Sequence, residues 1–165
     1  MYLLNEIINI IEKNKTKKIA IFVDMDGVVA DYRFGEGNNI KSNVPGTYSN
    51  KRPIETTINN LKQIHEKTHC EMFILSSCLY KEQANEKKVW LNINMPFIKA
   101  DNMIFVITDN FEDRKKNKVS YLRKKIETHV CDLAIMIDDT HEILFLALKE
   151  LGDKVIPFHV ITLID

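Results

Sequence analysis

The sequence lacks an excess of either charge, a disulfide framework and a long apolar segment. Its 165 residues include 23 basic and 23 acidic residues, so no overall field draws the chain to nucleic acid or to an anionic membrane. The three cysteines are an odd number and lie far apart, which predicts free thiols and a reducing, cytoplasmic location. No run approaches the roughly 20 apolar residues that span a bilayer, so we expect no membrane partner.

Glycine and proline are also scarce, with five and four residues, while 45% of the chain is hydrophobic. These values exclude collagen-like, low-complexity and disordered chains. A chain of this length predicts one domain over residues 1–165, because two full cores would leave too little chain for either. Apolar residues at helical spacing near the start predict an amphipathic helix within residues 1–17. The acidic Glu6 precedes any basic residue there, which argues against a secretory signal.

Short apolar runs alternate with helical stretches along the chain. Together they predict a doubly wound, Rossmann-like α/β fold, in which a parallel sheet of about five strands carries helices on both faces. The predicted strands are residues 19–23, 72–75, 103–107, 133–137 and 154–158. The predicted helices are residues 54–67, 81–92, about 118–127, and 142–151. Residues 31–52 show no periodicity and predict a loop or small lid.

Polar residues follow the apolar runs, and the carboxyl ends of parallel strands meet at one edge of the sheet, where ligands bind. Asp24 and Asp26 follow the first run, and Ser76 and Ser77 follow the second. A polar stretch that reaches Lys118 follows the third run, and Asp138 and Asp139 follow the fourth. We therefore expect acids, hydroxyls and a lysine to share one site.

The chemistry of these residues favours phosphoryl transfer. Asp24 and Asp26 are two residues apart, which in strand geometry points both carboxylates roughly the same way. With Asp138 and Asp139 they would repel unless a cation offsets them, and Mg²⁺ suits such oxygen ligands. A hydroxyl and a lysine can bind the phosphoryl group, and an aspartate can serve as nucleophile.

Three segments resemble the motifs of the haloacid dehalogenase superfamily of phosphohydrolases. They are residues 22–31 (FVDMDGVVAD), residues 74–77 (ILSS) and residues 135–140 (IMIDDT). Two further segments, residues 52–55 (RPIE) and the pattern Lys87-x-x-Trp90-Leu91, make the chain most similar to the 5'(3')-deoxyribonucleotidases, also called 5'-nucleotidase type C. The resemblance covers about residues 18–160.

The resemblance implies a role for each matching position. Asp24 would become the phosphoaspartate, and Asp26 would protonate the leaving oxygen, activate water and lend its carbonyl to Mg²⁺. Asp139 would bind the metal directly or through water, with Asp138 beside it. Ser76, in preference to Ser77, would hold the phosphoryl group. The substrate implied is a small phosphorylated molecule, namely a nucleoside monophosphate, and the sequence leaves oligomerisation open.

The sequence departs from the family pattern in two places. About ten polar residues, 108–117, separate the third strand from Lys118, so Lys87 is an alternative phosphate-binding lysine. By default residues 114–118 would be a solvated loop, although at the rim of the site they could attract an anionic substrate. The family's helical cap is reduced to residues 31–52, so nucleoside specificity does not follow directly.

Three other functions fit parts of the pattern. A receiver domain also combines aspartates, a hydroxyl, a lysine and Mg²⁺, but it carries its acidic pair after the first strand and its phosphoacceptor after the third. A non-catalytic phosphate-binding protein would not require Asp26. A phosphatase for another phosphomonoester, or for a polynucleotide terminal phosphate, remains the nearest enzymatic alternative. The neutral composition does not favour a nucleic-acid substrate.

Overall fold

Five parallel strands form one sheet in the order β3-β2-β1-β4-β5, within the computed structural model that describes residues 2–32, 46–108 and 110–163. The strands are β1 (Ile19–Val23), β2 (Glu71–Cys78), β3 (Met103–Ile107), β4 (Leu133–Asp138) and β5 (Val155–His159). The helices are α1 (Tyr2–Lys13), α2 (Glu55–Thr68), α3 (Lys81–Asn94), α4 (Phe111–Glu127) and α5 (His141–Leu151). The predicted fold class is confirmed.

Alternate residues of β1 pack against opposite layers of helices. Ile19, Ile21 and Val23 belong to a core with the apolar residues of α1, α2 and α3, whereas Ala20 and Phe22 belong to a core with those of α4 and α5. All five residues of β1 are buried, as its uniformly apolar sequence predicts for a strand covered on both faces.

Two boundaries differ from the sequence-based prediction in ways that affect the site. β2 continues to Cys78, so Ser76 and Ser77 lie within the strand and not after it. The larger difference is α4, which begins at Phe111. The predictions of a helix from about residue 118 and of a solvated loop over residues 114–118 are therefore wrong. The predicted lid falls mostly on residues 33–45, which lie outside the described residues.

The sheet order positions the site. From β1 the chain builds outward through β2 and β3 on one side and through β4 and β5 on the other, so the direction of winding changes between β1 and β4. In doubly wound sheets the crevice at this point, at the carboxyl ends of the strands, is where ligands bind. None of the described helices has the length and apolar character to cross a membrane.

Candidate active site

Three aspartates lie together at the carboxyl ends of β1 and β4. Asp24 follows β1, Asp138 is the last residue of β4, and Asp139 comes next. The two strands are neighbours, and the backbone N–H of Asp24 donates to the carbonyl of Ile137 at 2.9 Å. One carboxylate oxygen from each aspartate lies within 4.8 Å of the others, and Asp24 and Asp138 are buried. We call these three residues the acidic cluster.

Lys118 reaches the acidic cluster from α4. Its Nζ lies 2.9 Å from Oδ2 of Asp24 and 2.9 Å from Oδ2 of Asp138, and its side chain is 2% exposed. Burial alone would lower the pKa of Lys118, but the charges of both aspartates raise it above its ordinary value. Lys118 is therefore a stable cation, and it sets one positive charge against three carboxylates.

The charge of the acidic cluster favours a further cation. Burial raises the pKa of Asp138, and the charge of Asp24 raises it further, while Lys118 acts in the opposite direction. Oδ1 of Asp24 is buried and has no hydrogen-bond partner. Carboxylate oxygens that repel one another form the hard donor set that Mg²⁺ prefers. These residues fit the predicted ion.

The start of α4 explains how Lys118 reaches the site. The Asn110 side chain accepts hydrogen bonds from the backbone N–H groups of Glu112 and Asp113, and so caps the helix. Lys118 then lies about two turns inside α4. The signal was present in the sequence, because an Asn followed by acidic residues is typical of a helix start. The uniformly polar residues 112–117 concealed it, because they lack the apolar periodicity of a helix.

A second group of charges surrounds Asp26. Lys51 pairs with Oδ1 of Asp26, and Nζ of Lys87 lies 2.5 Å from its Oδ2. Burial raises the pKa of Asp26, but Lys87 and Lys51 together lower it below its ordinary value, so the carboxylate stays ionised. We call these three residues the lysine clamp. Its lysines approach Asp26 while Lys118 approaches Asp24, so the two carboxylates have different partners. β1 ends at Val23, and strand geometry no longer applies beyond it.

Lys87 and Lys118 therefore differ in what they contact. Besides Asp26, Nζ of Lys87 donates to Oγ of Ser76 at 2.9 Å and to the carbonyl of Ser77 at 2.7 Å. An ammonium has three N–H donors, and these contacts occupy all of them. Lys118 has two acceptors among the described residues, both of them carboxylates.

Lys51 belongs to a short segment that packs against α3. The indole N–H of Trp90 donates to the carbonyl of Lys51 at 2.9 Å, and the Glu86 carboxylate accepts from the backbone N–H of Gly46 and of Tyr48. The Tyr48 ring is buried and lies under the Lys51 ammonium, which is 4.5 Å from the ring centroid. Lys51 and Tyr48 carry no signal in the sequence that marks them as site residues, because only tertiary packing brings this segment to Asp26.

The two serines of β2 have different surroundings. Ser76 is fully buried, and its hydroxyl accepts from Lys87. Oγ of Ser77 is buried without a hydrogen-bond partner. Successive residues of a strand point to opposite faces, so the two hydroxyls do not share one environment.

A cavity of about 330 Å³ joins the acidic cluster to the lysine clamp. Every residue singled out from the sequence lies in its wall or beside it. The wall includes Asp24, Asp26, Ser76, Ser77 and Lys118, together with Lys51, Tyr48, Phe111, Arg114 and Thr140. Lys87 contacts Asp26 and Ser76, and Asp138 contacts Lys118. Asp139 accepts a hydrogen bond from the hydroxyl of Tyr32, which also lines the cavity, at 2.7 Å.

Gly27 is needed where the chain leaves Asp26. Its φ is +74°, in the left-handed region that side chains rarely adopt. A Cβ at this position would lie 2.4 Å from Oδ2 of Asp139 and 2.4 Å from Cε2 of Tyr32. The turn after Asp26 therefore passes against the acidic cluster at a distance that only glycine permits.

Comparison with known proteins supports the architecture. No protein-family model matches the chain, and no curated protein matches it. Among solved structures, a protein of Burkholderia xenovorans LB400 named as a haloacid dehalogenase-like hydrolase aligns with a TM-score of 0.51 and 14% identity, over 85% of this chain and 82% of that chain. At this identity the likeness concerns the fold, and that fold is the one the sequence motifs imply.

Proposed function

We propose that the chain is a Mg²⁺-dependent phosphomonoesterase that forms a phosphoaspartate on Asp24. The observation that carries the proposal is the state of Asp24, which is buried with one carboxylate oxygen on Lys118 and the other without a partner at a cavity. A carboxylate nucleophile needs an available oxygen and a nearby cation that offsets charge on the phosphoryl group. Asp24 has both.

Asp24, Asp138 and Asp139 would hold Mg²⁺ through carboxylate oxygens, and the family resemblance adds the backbone carbonyl of Asp26. When bound, the ion would screen the negative phosphate from the negative nucleophile and stabilise charge on the transferred group. The remaining chemistry falls to side chains of the chain itself.

The proposed reaction has two steps at Asp24. In the first, Oδ1 of Asp24 bonds to phosphorus while the bond from phosphorus to the ester oxygen breaks, and the leaving oxygen takes up a proton. In the second, water bonds to phosphorus while the bond to Oδ1 breaks, and the water loses a proton. The products are an alcohol and orthophosphate, and the carboxylate of Asp24 is restored.

Asp26 is the proposed proton carrier for both steps, because it lines the same cavity. The lysine clamp keeps it ionised, which suits the second step, in which it accepts a proton from water. In the first step it would draw a proton from the hydrogen-bonded ammonium of Lys51 or Lys87 as it passes one to the leaving oxygen. The second step returns that proton to the lysine.

The contacts of the two lysines favour different roles. Lys118 touches the nucleophile and has one N–H beyond its two carboxylate contacts, so we assign it to the phosphoryl group. Lys87 has all three donors occupied and connects Asp26 to the end of β2, so we assign it to positioning Asp26. For the substrate we propose a nucleoside monophosphate, on the family resemblance.

The strand order weighs against the receiver-domain alternative. Receiver domains have the doubly wound order 2-1-3-4-5, whereas this sheet has the order 3-2-1-4-5. A phosphatase for another small phosphomonoester, or for a polynucleotide end, uses the same residues and differs only in the leaving group.

The test is a hydrolysis screen over nucleoside monophosphates, sugar phosphates, an aryl phosphate and oligonucleotides phosphorylated at the 3' or 5' end, with MgCl₂ and with EDTA. We expect Mg²⁺-dependent release of orthophosphate, with the deoxyribonucleoside monophosphates among the best substrates. Rapid acid quench followed by peptide mass analysis should place one phosphoryl group on Asp24. Release of phosphate by wild type and by an Asp24→Asn variant at equal rates would refute the covalent route.

A further inference from the structure

Unsatisfied polar atoms concentrate in the cavity of the candidate site. Among the described residues, four buried side-chain nitrogen or oxygen atoms have no hydrogen-bond partner: Oδ1 of Asp24, Oγ1 of Thr57, Oγ of Ser77 and Nε of Arg114. All but Thr57 belong to residues that line this one cavity. Buried polar atoms are normally paired, because leaving one unpaired costs its hydration. Three exceptions in one wall indicate a ligand that completes them.

Arg114 lies on the same face of α4 as Lys118. The two residues are four positions apart, so their side chains lie one above the other and are offset along the helix by about 6 Å. α4 runs from Phe111, so Arg114 is the nearer of the two to the helix start. Two of the three N–H groups of Lys118 are taken by Asp24 and Asp138. Arg114 therefore brings a second cation of α4 to the cavity wall.

The chemistry of the unpaired atoms specifies the ligand. Nε of Arg114 is a donor, and the hydroxyl of Ser77 can donate as well. The guanidinium presents parallel N–H groups in a planar fork that matches two oxygens of a phosphate. The ammonium groups in or beside the cavity wall have carboxylate partners, since Lys51 and Lys87 pair with Asp26 and Lys118 pairs with Asp24 and Asp138.

We propose that Arg114 binds the phosphoryl group that is transferred to Asp24, through Nε and a terminal guanidinium nitrogen, with the Ser77 hydroxyl as a further donor. The inference rests on the proposed function and deepens it. Arg114, one of the residues 114–118 that were expected to form a solvated charged loop, would then contact the substrate directly. Arg114 then stabilises the added negative charge of the transition state, as preorganised donors do in phosphoryl transfer.

The test compares Arg114→Gln and Arg114→Lys with a matched control, Arg123→Gln. Arg123 is on the same helix, and its ion pair with Glu150 is partly exposed and outside the cavity. The readouts are kcat and KM for an aryl phosphate, the inhibition constant of orthophosphate, and direct binding of orthophosphate by calorimetry. Thermal unfolding without ligand shows whether each variant is folded.

We expect Arg114→Gln to weaken orthophosphate binding and to lower kcat/KM for the aryl phosphate by about 10- to 100-fold, the range for a hydrogen bond to a charged group. Arg114→Lys should recover only part of the loss, because lysine keeps the charge and lacks the fork. Ser77→Ala should show a smaller loss of the same kind, and Arg123→Gln should match wild type.

Three results would overturn the proposal. The first is unchanged orthophosphate binding in folded Arg114→Gln or Arg114→Lys. The second is a loss that Arg114→Lys restores fully and that high salt abolishes, since this describes steering by a distant charge. The third is a loss confined to substrates whose leaving group carries a second anion, since Arg114 would then bind the leaving group and not the phosphoryl group. If wild type binds orthophosphate through Arg114 but hydrolyses no phosphomonoester, the proposed function fails while the anion site stands.

Discussion

The acidic cluster and the lysine clamp lie side by side after β1, and they use the same two kinds of side chain in opposite proportions. The cluster sets three carboxylates against Lys118, whereas the clamp sets two ammonium groups against Asp26. The first is short of positive charge and suits a metal ion. The lysine clamp has one more ammonium group than carboxylate, and it keeps the carboxylate of Asp26 ionised. A chain with no net charge thus contains a site whose charges are separated.

This difference assigns different tasks to the two members of the Asp-x-Asp motif. Asp24 keeps one oxygen unpaired, so it is available to react. Asp26 has a lysine on each oxygen, which holds it in place, and its proposed task is proton transfer. The largest expected effect tests the first of these assignments. Asp24→Asn should lower kcat for an aryl phosphate by about 10⁴-fold or more, the scale on which removal of a nucleophile acts.

The measurement for Asp24→Asn is initial rate in MgCl₂, with acid-quench mass analysis for the phosphoenzyme. Asp153→Asn is the matched control, because Asp153 is an exposed residue in the turn before β5. A phosphoenzyme that persists in Asp24→Asn would move the nucleophile to another residue.

The next prediction compares the stability of the two groups when each loses a lysine. Lys118→Met leaves Asp24 and Asp138 buried without a cation, and should lower the free energy of unfolding by about 3–5 kcal/mol in EDTA. Lys51→Met should cost less, because Lys87 still pairs with Asp26. The measurement is urea unfolding of both variants.

Added MgCl₂ sharpens the same comparison. The ion should raise the stability of Lys118→Met more than that of Lys51→Met, since the carboxylates of the proposed metal site all belong to the acidic cluster. Equal effects of MgCl₂ on the two variants would contradict a metal site built on those carboxylates.

The sequence predicted the acidic cluster better than the lysine clamp. Asp24, Asp138 and Asp139 directly follow or end uniformly apolar strands, and strand order alone brings strand ends together. Lys51 has no such marker. The position of its segment depends on contacts with α3, namely those of Trp90 with Lys51 and of Glu86 with Tyr48. Tyr48 and Glu86 are 38 positions apart in the sequence. Local periodicity does not encode packing of that kind.

Lys118 and the two serines fall between these cases. Their residue types were identified, but their surroundings depend on where an element begins or ends. Because α4 starts at Phe111, Lys118 lies inside the helix and contacts the acidic cluster, whereas the sequence-based prediction placed it at the end of a loop. Likewise, β2 extends to Cys78, and within it the Ser76 hydroxyl contacts Lys87 while that of Ser77 is unpaired. Element boundaries are the least reliable part of a sequence-based prediction, and here they decide the roles of site residues.

The third prediction tests proton transfer by the lysine clamp. If Asp26 protonates the leaving oxygen, Asp26→Asn should slow hydrolysis of an alkyl phosphate by about 10²-fold more than hydrolysis of a nitrophenyl phosphate, whose leaving group needs no proton. Asp101→Asn, at an exposed turn before β3, is the control. An equal loss for both substrates would leave Asp26 with a positioning role only.

The smallest expected effect is the pH dependence of stability, in which the two groups should behave oppositely. Asp138 has its pKa raised to about 7, first by burial and then by Asp24. A carboxyl with a raised pKa in the folded state takes up a proton that the unfolded chain releases, so its contribution is fully present below the ordinary pKa of about 4 and is lost as pH rises toward 7. The pKa of Asp26 is lowered, so its contribution is present above the ordinary pKa and is lost as pH falls below it.

Urea unfolding in EDTA at several pH values separates the two contributions. Relative to wild type, Asp138→Asn should reduce the fall in stability between pH 4 and 7, by about 1 kcal/mol or more, since one pKa unit corresponds to 1.36 kcal/mol. Asp26→Asn should instead reduce the fall in stability below pH 4. Added MgCl₂ should also reduce the fall in stability of wild type between pH 4 and 7, because a cation in the acidic cluster stabilises the ionised form of Asp138. If both variants changed the same part of the profile, the acidic cluster and the lysine clamp would be one coupled network and not two groups with separate tasks.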